Sequence, residues 1–312
     1  MQVEEEQHLP AMPVLNGSWE RKHRSSTAAA FIGLLIIGVL YFHAQAIFSG
    51  ILLMADAVQN HATMHGKTFV EQLTHMAMAM KGPMRIAVCG SQFICMLLPV
   101  LWIVKHWHSS HVAAYIRFRR IPVFEIILAV AVTLCVFPLN EAIGEFFVER
   151  LHIPDFLSRI NAQTFTSYTR NELCWLLFVV CLTPALCEEI FFRGYFQRTL
   201  ERALGVKSIF VAGVMFGLFH MQPINLLSLS LLGILFGFFF YRSKSLFPGM
   251  AAHCTNNLCA VLSLYKTPDD RTALELFTYR PTWLGVLVAM GIAGVLLTAY
   301  YLTTRQMPEG NS

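Results

Sequence analysis

The sequence predicts an all-α, polytopic membrane protein of about eight transmembrane helices arranged around an intramembrane polar cavity. Three observations predict it. The 312 residues are 55% hydrophobic and only 13% charged, with a mean hydropathy of +0.54, whereas soluble domains carry about 25% charged residues. Apolar runs of membrane-crossing length recur along the chain, separated by segments that are alternately basic and mixed in charge. The later runs also contain a few ionisable side chains, which at membrane depth cost at least ~2.5 kcal/mol each and mark functional sites.

Residues 1–26 form a polar leader with an acidic cluster (Glu4, Glu5, Glu6) and a basic one (Arg21, Lys22, Arg24). It is expected to lack fixed structure. The first apolar run, Thr27 to Ala55, contains Ala44-Gln45-Ala46, which resembles a signal-peptidase site. The apolar stretch continues well beyond that site, so an uncleaved span is expected. Further spans are read at Met84 to Val104, Ile121 to Ile143, Asn171 to about Leu200, Val206 to His220, Ile224 to Tyr241, Leu246 to Tyr265 and Thr282 to Leu302. The fifth is short for a segment that needs ~20 residues, and the fourth runs long.

This divides the chain into the leader, an N-terminal part (27–120) with spans one and two, a core (121–265), and a final part (266–312) holding the last outer loop, the last span and a short tail. Lys and Arg favour the segments on the leader's side. Both termini are therefore expected to be cytoplasmic, with a bacterial plasma membrane as the setting. The net charge of +4 is accounted for by those loops and gives no case for nucleic-acid binding. All eight cysteines lie in apolar runs without Cys-x-x-Cys spacing and read as small reduced hydrophobes.

The chemistry concentrates in Ala185 to Phe196, Ala-Leu-Cys-Glu-Glu-Ile-Phe-Phe-Arg-Gly-Tyr-Phe. Glu189 and Arg193 stand four apart with the acid first, the favourable spacing for an ion pair on one helical face. Glu188 is rotated ~100° from Glu189 and free to meet other helices. Downstream, Phe216 lies one turn before His220, and His253 and Asn257 share one face of the seventh span. Measured from Arg198, Lys207 and Lys244 near the leader-side surface, Glu188, His220 and His253 lie at depths of ~15, ~20 and ~14 Å. Three helices thus bring these groups to one level.

A Glu, two His and an Asn at one level suit hydrolysis of an acyl bond. Glu188 and His220 would activate water, and His253 and Asn257 would donate to the oxyanion. Glu188, His220 and His253 would equally suit zinc, but there is no His-Glu-x-x-His and Asn is a poor ligand, so no cofactor is favoured and zinc is the alternative. A non-catalytic scaffold held together by the same polar network is the rival from another class. A transporter is disfavoured because every such site lies after residue 185.

Glu188-Glu189-x-x-x-Arg193, Phe216-x-x-x-His220 and His253-x-x-x-Asn257, in this order on successive helices, resemble the motifs of the CPBP (ABI) family, which includes type II CAAX prenyl endopeptidases and bacteriocin-immunity-type membrane proteins. The resemblance covers roughly residues 121–265. It implies an eight-helix intramembrane protease in which Glu188 and His220 activate water, His253 and Asn257 form the oxyanion hole, and Glu189 and Arg193 support them. The partners it implies are membrane lipids and a peptide or lipidated protein substrate. No feature of the sequence specifies an oligomeric state.

Overall fold

Every regular element among the described residues is a helix. The computed structural model describes residues 14–60, 68–152, 167, 169–264 and 282–304. In chain order these are α1 (Ser18–Arg21), α2 (Ser26–Asn60), α3 (residues 69–108), α4 (Val112–Tyr115), α5 (Val123–Arg150), α6 (Arg170–Leu204), α7 (Lys207–Phe219), α8 (Leu226–Ser243), α9 (Phe247–Leu264) and α10 (Trp283–Thr303). The chain is thus an all-α polytopic membrane protein.

The eight expected spans correspond to eight helices, but not to eight equivalent ones. Among the described residues, six segments are long and apolar enough to cross a membrane: Ser26–Leu52, Lys81–His108, Val123–Arg150, Arg170–Leu204, Pro223–Ser243 and Trp283–Thr303. The fifth expected span, α7, has only 13 residues, a length of ~20 Å against a hydrocarbon core of ~30 Å. The seventh, α9, has 18 residues, but His253, Thr255, Asn256 and Asn257 dilute its apolar character. The helix that bears His253 and Asn257 therefore does not stand out as a span by composition.

Helices α7 and α8 form a hairpin whose arms touch through small residues. A Cβ on Gly233 would lie 2.6 Å from the Gly213 carbonyl oxygen, so the two backbones approach as close as glycine allows. Around this hairpin, Phe191, Phe192, Phe196, Phe216 and Phe240 fill a core closed by Ile37 of α2 and Val100 of α3. A second core joins α5, α8 and α10 through Val132, Phe239 and Tyr300. On the outside, Leu35, Ile51, Val123, Leu287 and Val295 are exposed, as helices facing lipid require.

One face of the bundle is knitted by charge, and there the leader departs from expectation. Residues 14–25 are ordered: Trp19 stacks on Trp107 at 5.0 Å, and the Gly17 N–H donates to the His108 carbonyl at 2.9 Å. Their apolar and hydrogen-bonding contacts with the end of α3 offset the cost of ordering a short polar segment. The acidic cluster Glu4 to Glu6 lies outside the described residues. Glu20 accepts from His108 Nδ1 at 2.6 Å and from Arg202 Nη2 at 2.8 Å. Beside it, Glu201 accepts from Arg117 and Lys244 at 2.7 to 2.9 Å. Arg242 donates to the carbonyl of Thr304 at 3.0 Å, so the ends of α3, α6, α8 and α10 meet on the leader's face.

Burial alone pushes the Glu20 carboxyl up, but the hydrogen bonds and charges of Arg202 and His108 outweigh it and hold the group below its ordinary value of 4.5. A carboxyl held low in the folded state contributes stability above about pH 4.5 and loses that contribution as pH falls through the lowered value. Glu20→Gln is expected to lower the Tm in detergent at about pH 7, with the deficit narrowing as pH drops below 4.5. A deficit independent of pH would show that Glu20 acts by packing alone.

Candidate active site

The carboxylates of the Glu-Glu pair sit on α6 where its backbone is irregular. π-helical turns at Leu177–Leu182 and Ile190–Gln197 flank the α-helical stretch Thr183–Glu189, and such turns recur at functional sites because they re-aim side chains. Pro184 has no N–H to return to the carbonyl of Val180. Asn257 of α9 supplies one instead, its Nδ2 donating to Val180 O at 2.7 Å. The amide expected in the oxyanion hole therefore has one hydrogen engaged in joining α9 to α6, with its second hydrogen still available to the cavity.

Glu189 is fully buried and accepts two hydrogen bonds on one oxygen, from Arg193 Nη1 at 2.8 Å and from His253 Nδ1 at 2.9 Å. Arg193 is also fully buried. It donates through Nη2 to the Gly233 carbonyl at 3.0 Å and lies over the rings of Phe216 and Phe236 at 4.5 and 5.4 Å, so its charge meets an anion, a carbonyl and two π faces. Gly249 on α9 makes the room: a Cβ there would stand 2.9 Å from Glu189 Oε2.

Glu188 faces a different set of helices, as its rotation from Glu189 requires. Its Oε1 accepts from Gln92 Nε2 of α3 at 2.9 Å. Its Oε2 has no hydrogen-bond partner among the described residues and faces His220 Nε2 at 3.8 Å and His253 Nε2 at 3.9 Å. Those separations are too long for direct hydrogen bonds and suit one bridging water. His220 Nδ1 lies 2.8 Å from the Phe216 carbonyl, which can only accept, so Nδ1 carries a proton and Nε2 is turned towards Glu188. Phe216 packs against both rings, 4.6 Å from His220 and 5.7 Å from His253, and Phe236 stacks on His253 at 5.3 Å.

These groups line a cavity of about 210 Å³, closed by Tyr41 and Val88 on one side and Leu229 and Leu232 on the other. The structure thus brings Glu188, His220, His253 and Asn257 to one cavity, with Phe216 in its wall and Glu189 and Arg193 behind it. Two members were not anticipated from the sequence. Gln92 carries a signal, since it is the single side-chain amide in the apolar run from Met84 to Val104. Tyr41 carries none, being one of many aromatics in apolar helices. The bond from His253 to Glu189 also went unforeseen, because the spacing that pairs Glu189 with Arg193 is silent about a helix 64 residues away.

Fold and site together define a polytopic helical membrane protein with a buried carboxylate–imidazole centre. Within it, residues 170–259 match the family model described as Type II CAAX prenyl endopeptidase Rce1-like, in agreement with the resemblance of the three motifs. All seven motif side chains, from Glu188 to Asn257, lie within the matched segment. Searches of curated proteins and of solved structures returned no match.

Removing one member of a buried ion pair leaves the other uncompensated, at a cost of about 3–5 kcal/mol. Arg193→Leu is therefore expected to reduce thermal stability in detergent severely. Glu188→Gln, which keeps a polar partner for Gln92, should change it little. Equal losses in the two variants would contradict this division between a supporting pair and a free carboxylate.

Proposed function

We propose that the chain is an intramembrane endopeptidase that hydrolyses a peptide bond with a water activated by Glu188 and His220. The observation that carries the reading is Glu188 Oε2, which has no hydrogen-bond partner among the described residues and faces the Nε2 atoms of two histidines at 3.8 and 3.9 Å in one cavity. A water within hydrogen-bond reach of both Glu188 Oε2 and His220 Nε2 would add to the scissile carbonyl as Glu188 takes its proton. His253, held at Nδ1 by Glu189, turns Nε2 to donate to the oxyanion. The second Nδ2 hydrogen of Asn257 completes the hole, a type of donor worth about 2.7–4 kcal/mol in other enzymes. Collapse of the intermediate breaks the C–N bond and returns the proton from Glu188 to the leaving amine, giving one carboxylic acid and one amine; the acid then releases its proton to water.

The match to a prenyl endopeptidase family supports peptidase activity, and its name points to lipidated C-terminal peptides as the first substrates to test. A buried cavity among membrane helices fits such a tail or a transmembrane peptide. In this reading the leader's face is cytoplasmic and the membrane is a bacterial plasma membrane.

A zinc site has one observation in its favour. Both imidazoles hold their Nδ1 against an acceptor and turn Nε2 towards a carboxylate, as metal-ligating histidines do. Glu188, His220 and His253 would hold the ion, which would polarise the scissile carbonyl and acidify a bound water. Against it, no group of three His, Cys, Asp or Glu side chains among the described residues stands in metal-holding geometry.

The test compares protein termini in membranes of cells carrying wild type or Glu188→Gln at equal abundance. A terminus that disappears in the variant while its uncut precursor accumulates is the expected result, with loss of activity of about 10²-fold or more. No change in any terminus would favour the scaffold. Activity of the purified protein is expected to survive exhaustive chelation; loss on chelation with restoration by zinc would replace the metal-free mechanism.

A further inference from the structure

A second and larger cavity, of about 690 Å³, opens beside the first. It exists because the α7–α8 hairpin turns at residues 220–225, only ~20 Å from the leader's face, whereas the 28 residues of α5 continue for another ~20 Å. The far half of α5 therefore lines space that the hairpin does not fill. Leu229, Leu232 and Asn256 belong to the walls of both cavities, so the second is a vestibule of the catalytic one. Asn256 also donates to Asn257 Oδ1 at 3.2 Å, which joins the two sites through adjacent side chains.

The chemistry of the vestibule is uneven. Glu141, Glu145 and Glu149 line it from α5, four residues apart and hence on one helical face, where like charges repel. None of the three forms an ion pair with a described residue. At their foot lies Asn140, also in the wall and only 8% exposed, with neither Oδ1 nor Nδ2 bonded to a described residue. A buried amide without partners is costly to leave unsatisfied. Repelling carboxylates above an unsatisfied amide are thus the two halves of a binding site, one for positive charge and one for a group that both donates and accepts, such as a peptide bond.

The size of the site decides its ligand. From Glu141 to Glu149 the helix rises ~12 Å, far more than one cation can bridge with ligand distances of ~2.5 Å. It matches about four residues of extended peptide at ~3.3 Å each, and the volume falls within the ~300–1,000 Å³ of ordinary ligand sites. We infer that this vestibule binds a basic segment of the peptide substrate, its cationic side chains on Glu141, Glu145 and Glu149 and its backbone on Asn140. The inference rests on the peptidase reading of the adjacent cavity and extends it to substrate selection: the peptides cut should carry Lys or Arg on the side of the scissile bond that faces away from the leader.

Anisotropy of fluorescein-labelled pentalysine, titrated with the full-length protein in uncharged detergent at low salt, tests the site without relying on cleavage. Wild type and Glu188→Gln are expected to bind alike, pentaglutamine not to bind, and the isosteric triple variant E141Q/E145Q/E149Q to lose about tenfold or more. Asn140→Leu should weaken binding several-fold with all three charges intact. Should the triple variant fail to fold, Glu145→Gln alone is expected to lose about threefold. Equal binding of pentalysine to wild type and to the charge-neutralised variant, or equal binding of pentaglutamine, would overturn the assignment. So would competitive displacement of pentalysine by micromolar calcium, which would make this a cation site. Binding that survives Glu188→Gln while no cellular terminus depends on Glu188 would strike the peptidase reading alone; loss of binding specificity with cleavage intact would strike only the vestibule.

Discussion

The carboxylate of Glu189, cut off from water, accepts hydrogen bonds from Arg193 and from His253 on the same oxygen. In hydrocarbon an unpaired charge is expensive enough to unfold the segment that carries it, so α6 and α9 are held in one relative position by this contact. Phe216 and Phe236 then pack on the guanidinium and on the His253 ring together, which ties the α7–α8 hairpin to the same point. His253 cannot rotate without leaving a buried anion short of a donor, and its Nε2 is thereby aimed at Glu188.

The same economy explains why two adjacent glutamates do different work. A turn of ~100° separates a carboxylate that accepts from Arg193 of its own helix and His253 of α9 from one that accepts from Gln92 of α3 and faces His220 and His253 at longer range. Glu188 keeps one oxygen for Gln92 and leaves the other unpartnered among the described residues. Backbone irregularity makes this possible. Two π-helical segments and Pro184 bend α6 around the cavity, and the carbonyl that Pro184 cannot bond is recovered by Asn257, so the distortion leaves that group satisfied.

Glu20 and Glu201 on the leader's face are surrounded by arginine, lysine and histidine, and those pairs close the loops. The carboxylates at the far end of α5 have no such partners among the described residues and face an open cavity. At the start of α6, Glu172 is paired with Lys81 and Arg85, so the role of each acid is set by what packs against it.

Much of this was legible in the sequence because it depends on local periodicity and composition. The apolar runs specify helices, since in lipid a backbone must satisfy its own hydrogen bonds. A rise of 1.5 Å per residue put Glu188, His220 and His253 at one depth before any contact was known, and a four-residue spacing paired Glu189 with Arg193. What packing alone decided is whatever joins distant helices. Gln92 reaches Glu188 across 96 positions, His253 takes its second partner from another helix, and the leader is ordered by Trp107 and Arg202. The short α7 leaves the vestibule along α5. Periodicity assigns a residue to a face and a depth, but which faces meet is settled by the volumes and charges of residues far away in the chain. For that reason the sequence by itself determined the elements and the chemistry they carry, and only the tertiary structure decided which glutamate faces the Nε2 atoms of both histidines.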